Sequence, residues 1–247
     1  MSEIYTPAEM MIVAAARRLT DGARVLVGVG QPNLACNLAL RLHAPNLVMV
    51  YEAGVIGAQP GRLPLSIGDP VLASGALSIV PMFDLFGSYL QRGLIDIGFL
   101  GGAQIDRYGN LNSTVIGAYE RPTVRLPGSG GACEIALHAR DVIIMIPQTR
   151  QRFPAQVDFI TSPGFAIGRA ERARRGYGGG PKALITDLGI YEFDDDGEMA
   201  LVSLHPGVAL EQVQAQTGWP LRVAAQVAAT TPPTEEELAV LRDLAAS

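Results

Sequence analysis

Few side chains in this 247-residue chain are spaced for chemistry, and the first that stands out is Glu52. It closes the apolar stretch LVMVYEAGVIG, residues 47 to 57, with Gly54 and Gly57 two and five positions further on. A carboxylate at the mouth of a buried strand has three readings: the ribose-binding acid of a dinucleotide site, a catalytic carboxylate, or a loop residue without special chemistry. A glutamate with an ordinary pKa of about 4.3 is already ionised at neutral pH, so it needs no base to become a nucleophile, only desolvation and a held substrate. Without side chains at Gly54 and Gly57, a bulky substrate has room to approach the backbone.

The dinucleotide reading has some support, because Gly28-Val-Gly30 lies between a predicted strand and a predicted helix and Glu52 ends the next strand. It is weakened on three counts. Asn33 stands where the third glycine belongs, Pro32 removes a backbone N–H from the helix start that would hold a pyrophosphate, and the segment AGVIGAQPGRLP after Glu52 reads as loop rather than helix. Other candidates are sparse. His43 and His138 lie in apolar segments and read as packing residues, and His205 in Leu-His-Pro-Gly shapes a turn. Cys36 and Cys133 have neither metal-ligand spacing nor a neighbouring histidine, so both are expected to be reduced and non-nucleophilic, and no metal site is expected.

The elements that must position Glu52 follow from periodicity and punctuation. Thr6-Pro7-Ala8-Glu9 is a helix start, residues 24–28 are a strand, a second helix opens around Pro32, and residues 46–51 are the second strand. Further on, residues 81–91 look helical, 95–100 and 142–146 are strands, and short strands are expected at 184–186, 189–193 and 199–203. Helices follow at 211–216 and 234–246, the last with a capping signal at Thr234; residues 177–181 (YGGGP) read as a flexible surface loop. Helix alternating with strand predicts an α/β fold: a single domain spanning 1–247, with a mainly parallel sheet covered by helices.

Composition narrows the partners. Hydrophobic residues make up 48% and charged residues 17%, which predicts extensive interior or subunit interface and hence an oligomer. A net charge of −5 without a basic block argues against nucleic acid. With no apolar run of membrane-spanning length and no signal-peptide pattern, no membrane association and a cytoplasmic location are expected.

Several motifs together resemble the β subunits of family I CoA-transferases, over residues 8 to 220. YEAGVIG (51–57) is similar to that family's glutamate motif, usually Ser-Glu-Asn-Gly followed by two aliphatics and a small residue, with Tyr51 and Ala53 replacing Ser and Asn. VLVGVGQP, GGAQIDRYGNLN, PGSGGACE, VDFITSPGF and LHPGV match further segments in order, and the nearest branch is the glutaconate CoA-transferase type. The resemblance implies the CoA-transferase fold and a ping-pong transfer of CoA between an acyl-CoA and a carboxylic acid, through a thioester on Glu52. It implies coenzyme A as substrate, no tightly bound cofactor, and a separate α subunit in a heterodimer or α2β2 assembly. Gly54, Gly130 and Gly131 become candidate oxyanion or CoA-binding residues, the alternative for the 130–131 turn being a tight connection without ligand contact. Asn110 and Asn112 become candidate substrate-binding residues, or ordinary turn residues. Arg169, Arg172, Arg174 and Arg175 read as an exposed basic helix face, the alternative being contacts to CoA phosphates. Two other functions remain open on this scaffold: CoA-thioester hydrolysis or decarboxylation, and a noncatalytic ligand-binding module.

Overall fold

The computed structural model describes residues 5–246. The chain folds into two compact units, one taking the residues up to Phe99 and from Pro232 onward, the other Leu100 to Thr231.

The first unit begins with α1 (Pro7–Ala16). Thr6 Oγ1 accepts the Glu9 N–H at 3.2 Å while Glu9 Oε2 accepts the Thr6 N–H at 2.7 Å, a reciprocal cap that satisfies two orphan donors. The apolar run behind this cap is buried from Met10 to Ala16. Then come β1 (Arg24–Leu26), α2 (Gln31–Leu42), β2 (Val48–Val50), β3 (Val55–Ile56), β4 (Ser78–Ile79), α3 (Met82–Asp84), which continues as a π-helix over Leu85–Leu90, and β5 (Ile97–Leu100). The strand order is β5-β1-β2-β3-β4; β1 runs parallel to β2 and β5, whereas β3 is antiparallel to both β2 and β4. The parallel strands carry the apolar runs expected of a sheet covered on its faces, with Val25, Leu26, Met49 and Val50 all buried.

The second unit contains the hairpin β6 (Gln104–Ile105) with β7 (Leu111–Asn112), and the hairpin β8 (Val115–Ala118) with β9 (Arg121–Arg125). After α4 (Ala132–His138) come β10 (Asp141–Met145), α5 (Arg169–Arg174), β11 (Pro181–Ile185), β12 (Gly189–Phe193), β13 (Met199–Leu204), α6 (Leu210–Ala215) and β14 (Arg222–Ala229). Its strands are ordered β14-β13-β12-β11-β10, parallel at β10/β11 and β13/β14 and antiparallel between. The chain closes with α7 (Glu235–Ala246), which packs on α1 and α2 in the first unit. Thr234 caps it as expected, exchanging hydrogen bonds with Glu237 at 2.7 and 3.2 Å, and Arg17 clamps the same carboxylate at 2.6 Å. Both units are α/β.

The expected loop at residues 177–181 reaches the surface at Gly179 but is tied down through its backbone. The N–H groups of Gly178 and Gly179 donate to Leu137 O and Arg140 O, each at 2.7 Å. A Cβ at Gly178 would lie 1.9 Å from Ala139 O, and one at Gly179 2.4 Å from Arg140 O. These glycines serve close backbone approach rather than flexibility.

Candidate active site

Glu52 sits on a tight turn. Tyr51 N–H donates to Val55 O at 2.9 Å, and Gly54 N–H donates back to Tyr51 O at 2.8 Å, so Glu52, Ala53 and Gly54 form a three-residue loop between antiparallel β2 and β3. No described non-glycine residue has positive φ, while Gly54 has φ +96°. That combination is a type I turn closed by a glycine bulge, and it puts Glu52 at the first corner, half-buried and unstrained.

The strand after this corner settles the dinucleotide question. A ribose-binding acid needs a further helix crossing over to a parallel strand; Glu52 instead leads into an antiparallel hairpin. The side chain of Asn33, in place of the third fingerprint glycine, is spent inside the fold: its Nδ2 donates to Tyr51 Oη at 2.6 Å. Gly54 also differs from the expectation of an open approach. Its N–H belongs to the turn, its carbonyl accepts Val80 N–H at 2.9 Å, and an added Cβ would lie 1.8 Å from Val80 O. A Cβ at Gly57 would meet the Leu77 side chain at 2.6 Å. Both glycines let residues 77 to 81 pack on the turn, and neither opens space for a substrate.

Support for the turn comes from Tyr51, which is fully buried (0% exposed). Burial pushes its phenol up to about 12, so it stays protonated and takes no part in proton transfer at neutral pH.

In the second unit, the loop GGAQIDRYGNLN is organised by Asp106, a residue the motif reading passed over. Its buried carboxylate accepts the N–H groups of Tyr108 (3.0 Å) and Asn110 (3.1 Å) and the Asn110 side-chain amide (2.9 Å). Burial is the largest influence on this carboxyl and pushes its pKa up, with those donors working against it. Asn110 Oδ1 accepts Gly164 N–H at 2.8 Å. Asn112 donates to Gln104 Oε1 (2.7 Å) and Val115 O (2.6 Å) and accepts Thr114 N–H (2.9 Å). With Asn110 1% and Asn112 0% exposed, both amides are committed to the protein, and their geometry favours the turn reading over substrate contact.

Gly130 and Gly131 form the tip of a turn closed by Ala132 N–H to Ser129 O at 2.9 Å. With φ +49° at Gly130 and (−81°, −1°) at Gly131, this is a type II′ turn, which requires glycine at its first corner. Among the described residues, neither glycine's N–H has a protein acceptor, and a Cβ at Gly130 would meet nothing within 4 Å. Here the backbone is accessible and its donors unspent.

The arginine cluster divides. Arg174 and Arg175 pair with Glu171 at 2.7 and 2.6 Å on an exposed face, as expected. Arg172 is a correction: it is only 2% exposed. Its guanidinium donates to the carbonyls of Ala136 (2.8 Å), Gly164 (3.1 Å), Gly178 (3.2 Å) and Pro163 (3.3 Å). Arg169 lies 4.0 Å over the Phe165 ring and donates to the carbonyls of Phe193 (3.0 Å) and Asp194 (2.9 Å). These two arginines help to line an open cavity of about 200 Å³ with Phe165 and Tyr177.

The histidines and cysteines keep to structural surroundings. His43 is exposed rather than packed in the interior, although its Nε2 lies 3.1 Å from Leu19 O; His138 packs edge-on against Tyr177, and buried His205 bridges Thr186 O (2.8 Å) and Thr230 Oγ1 (3.1 Å). Both thiols are free, and burial pushes each pKa up, away from the thiolate. Among the described residues no His, Cys, Asp and Glu cluster is arranged to hold a metal ion, and no helix is long and apolar enough to cross a membrane.

The coenzyme A transferase family model matches residues 8–216. The corresponding chain of the 3-oxoadipate CoA-transferase of Pseudomonas knackmussii is 52% identical, the alignment covering 98% of this chain and 94% of the relative. The crystal structure of glutaconate coenzyme A-transferase from Acidaminococcus fermentans superposes with a TM-score of 0.90 at 35% identity, covering 97% of this chain and 94% of that one. The decarboxylase AibA/AibB follows with a TM-score of 0.83 at 27% identity, covering 96% and 93%. Fold and sequence together define one chain of a two-subunit CoA-thioester enzyme. The chain belongs to the coenzyme A transferase family, as a family I β subunit that acts with a separate α subunit and takes coenzyme A as a substrate.

Proposed function

We propose that this subunit, with its α partner, transfers CoA to a dicarboxylic 3-oxo acid of the 3-oxoadipate kind, with Glu52 as the nucleophile. The observation that carries the acceptor class is the 52% identity to one chain of a 3-oxoadipate CoA-transferase over nearly the whole length. For Glu52 the support is its place: a half-buried carboxylate at the corner of a turn held by two backbone hydrogen bonds.

The chemistry balances without a net proton. The Glu52 carboxylate attacks the thioester carbonyl of an acyl-CoA; the C–S bond breaks and CoA leaves as thiolate, forming an acyl-glutamyl anhydride. The thiolate then attacks the glutamyl carbonyl and expels the first acid, leaving CoA on Glu52 as a thioester. The incoming carboxylate displaces CoA to give a new anhydride, and CoA thiolate attacks its acyl carbonyl, freeing Glu52. Each addition creates an oxyanion, and two unspent backbone N–H groups are suited to hold one, which keeps Gly130 and Gly131 as the candidates. The cycle uses no tightly bound cofactor. Both compact units work as one catalytic subunit, in keeping with a family match that runs through both, and the expected location is the cytoplasm.

The test is a panel of acceptors given to the purified α/β complex with a fixed acyl-CoA donor. Parallel double-reciprocal lines and a preference for 3-oxoadipate over glutaconate and simple monocarboxylates are expected. CoA release without any acceptor would favour the thioesterase reading, and loss of CO2 from a thioester that keeps its CoA would favour the decarboxylase reading, which the AibA/AibB likeness keeps in view only at greater distance.

A further inference from the structure

We propose that Asn33 and Tyr51 are positioning residues that hold the Glu52 turn at a fixed height against α2. This rests on the reading of Glu52 as the nucleophile and adds what sets its place. Tyr51 closes the turn through both of its backbone groups, donating to Val55 O and accepting from Gly54. The same residue sends its buried ring to the first turn of α2, where Asn33 Nδ2 donates to Oη at 2.6 Å. The direction of this bond is fixed by its neighbour. Asn37 Nδ2 donates to the Asn33 backbone carbonyl at 2.9 Å, which settles which end of the Asn37 amide faces Asn33. That same Nδ2 lies 3.0 Å from Asn33 Oδ1, so the Asn33 amide must turn its nitrogen to Tyr51. Tyr51 Oη then points its own proton at Met49 Sδ, 3.6 Å away on β2.

The result is a directed chain from Asn37 through Asn33 and Tyr51 to Met49, with Asn33 1% exposed. Shifting or pivoting the turn relative to α2 breaks a bond that is buried at both ends, with Tyr51 0% exposed. A serine at position 51, as in the motif that the chain resembles, has no atom at the distance of Oη, so this coupling depends on the tyrosine. Through it, Glu52 is tied to two elements of the first unit, the strand that delivers it and the helix beside that strand.

The experiment compares Tyr51→Phe, Asn33→Leu and the double variant, each in complex with the α subunit. Tyr51→Phe strands the Asn33 amide, so thermal stability falls; the double variant removes both polar partners and regains much of that loss. A positioning role predicts that kcat falls about 10-fold or more in Tyr51→Phe and stays low in the double variant, with KM for acyl-CoA within about twofold. Single-turnover trapping of CoA on Glu52 should slow in step with kcat. Recovery of kcat alongside stability in the double variant, or trapping at the wild-type rate in all variants, would overturn the inference. Absence of any Glu52 adduct in the wild-type complex is a different failure: it removes the nucleophile reading, and the positioning role with it.

Discussion

Gly54→Ala is the sharpest test of how the nucleophile is delivered. Two costs meet at this residue. Its φ of +96° lies where side-chain-bearing residues are strained, worth roughly 1–3 kcal/mol. Its Cβ would also stand 1.8 Å from Val80 O, so the turn and residues 80–81 must separate by about 1.6 Å to reach an ordinary 3.4 Å contact. That movement breaks the 2.9 Å bond from Val80 N–H to Gly54 O, adding about 1 kcal/mol. Together they give a loss of about 2–4 kcal/mol, or roughly 5–15 °C in Tm for a chain of this size. Because the displaced backbone carries Glu52, activity should fall about 100-fold or more. Two control substitutions separate the causes under thermal and urea denaturation. Gly22→Ala has φ +75° with nothing within 4 Å and should show the conformational cost alone; Gly61→Ala has neither positive φ nor a close neighbour and should be near neutral. If Gly54→Ala is no less stable than Gly22→Ala, the close approach of Val80 is not what shapes the turn.

Other substitutions probe the second unit. Gly131→Pro deletes an N–H that has no acceptor among the described residues, at a φ of −81° that proline tolerates, so stability should hold while kcat falls about 100- to 1000-fold if this donor serves the oxyanion; unchanged turnover would remove Gly131 from the site. Arg172→Lys should cost roughly 3 kcal/mol or more in urea unfolding, because one ammonium cannot serve four carbonyls around a buried fork. His205 is held neutral, its pKa pushed down mainly by burial. Its unfolded form takes up a proton below about pH 6.5, so its contribution to stability is complete above that value and is lost as pH falls towards the lower folded pKa. His205→Gln should therefore flatten the decline in unfolding midpoint between about pH 7.5 and 5.5.

How much of this was legible in the sequence depends on which physical signal each element leaves. Buried parallel strands leave continuous apolar runs, so β1, β2, β5 and β10 were readable to within two residues. Capped helices leave Thr-x-x-Glu, and α1 and α7 both start where that signal stands. Glu52 was legible as an acid ending a strand, with glycines marking a corner. What those glycines do was not: a missing side chain looks the same whether the space is left for a substrate or filled by Val80 O. Gly178 and Gly179 misled in the same way. Arg172 has the composition of an exposed helix face, and only the carbonyls converging from residues 136, 163, 164 and 178 draw it inside. Strands β3, β4, β6 to β9 and β14 were missed because they are short or exposed and carry no alternation that distinguishes them from loop, and α4 was missed because Gly131 at its N-cap offers no capping side chain. Asn33 was noticed as a glycine that was not there; its bond to Tyr51, 18 residues away, needed the fold.

The most direct test of the account is covalent capture on Glu52. The α/β complex is incubated with acyl-CoA without acceptor, quenched, digested and analysed by mass spectrometry. With Glu52 as the nucleophile, CoA is expected on the peptide that contains Glu52, discharged by added carboxylate and absent from the Glu52→Ala complex, which should have lost transferase activity. CoA attached elsewhere, or full activity in Glu52→Ala, would contradict it.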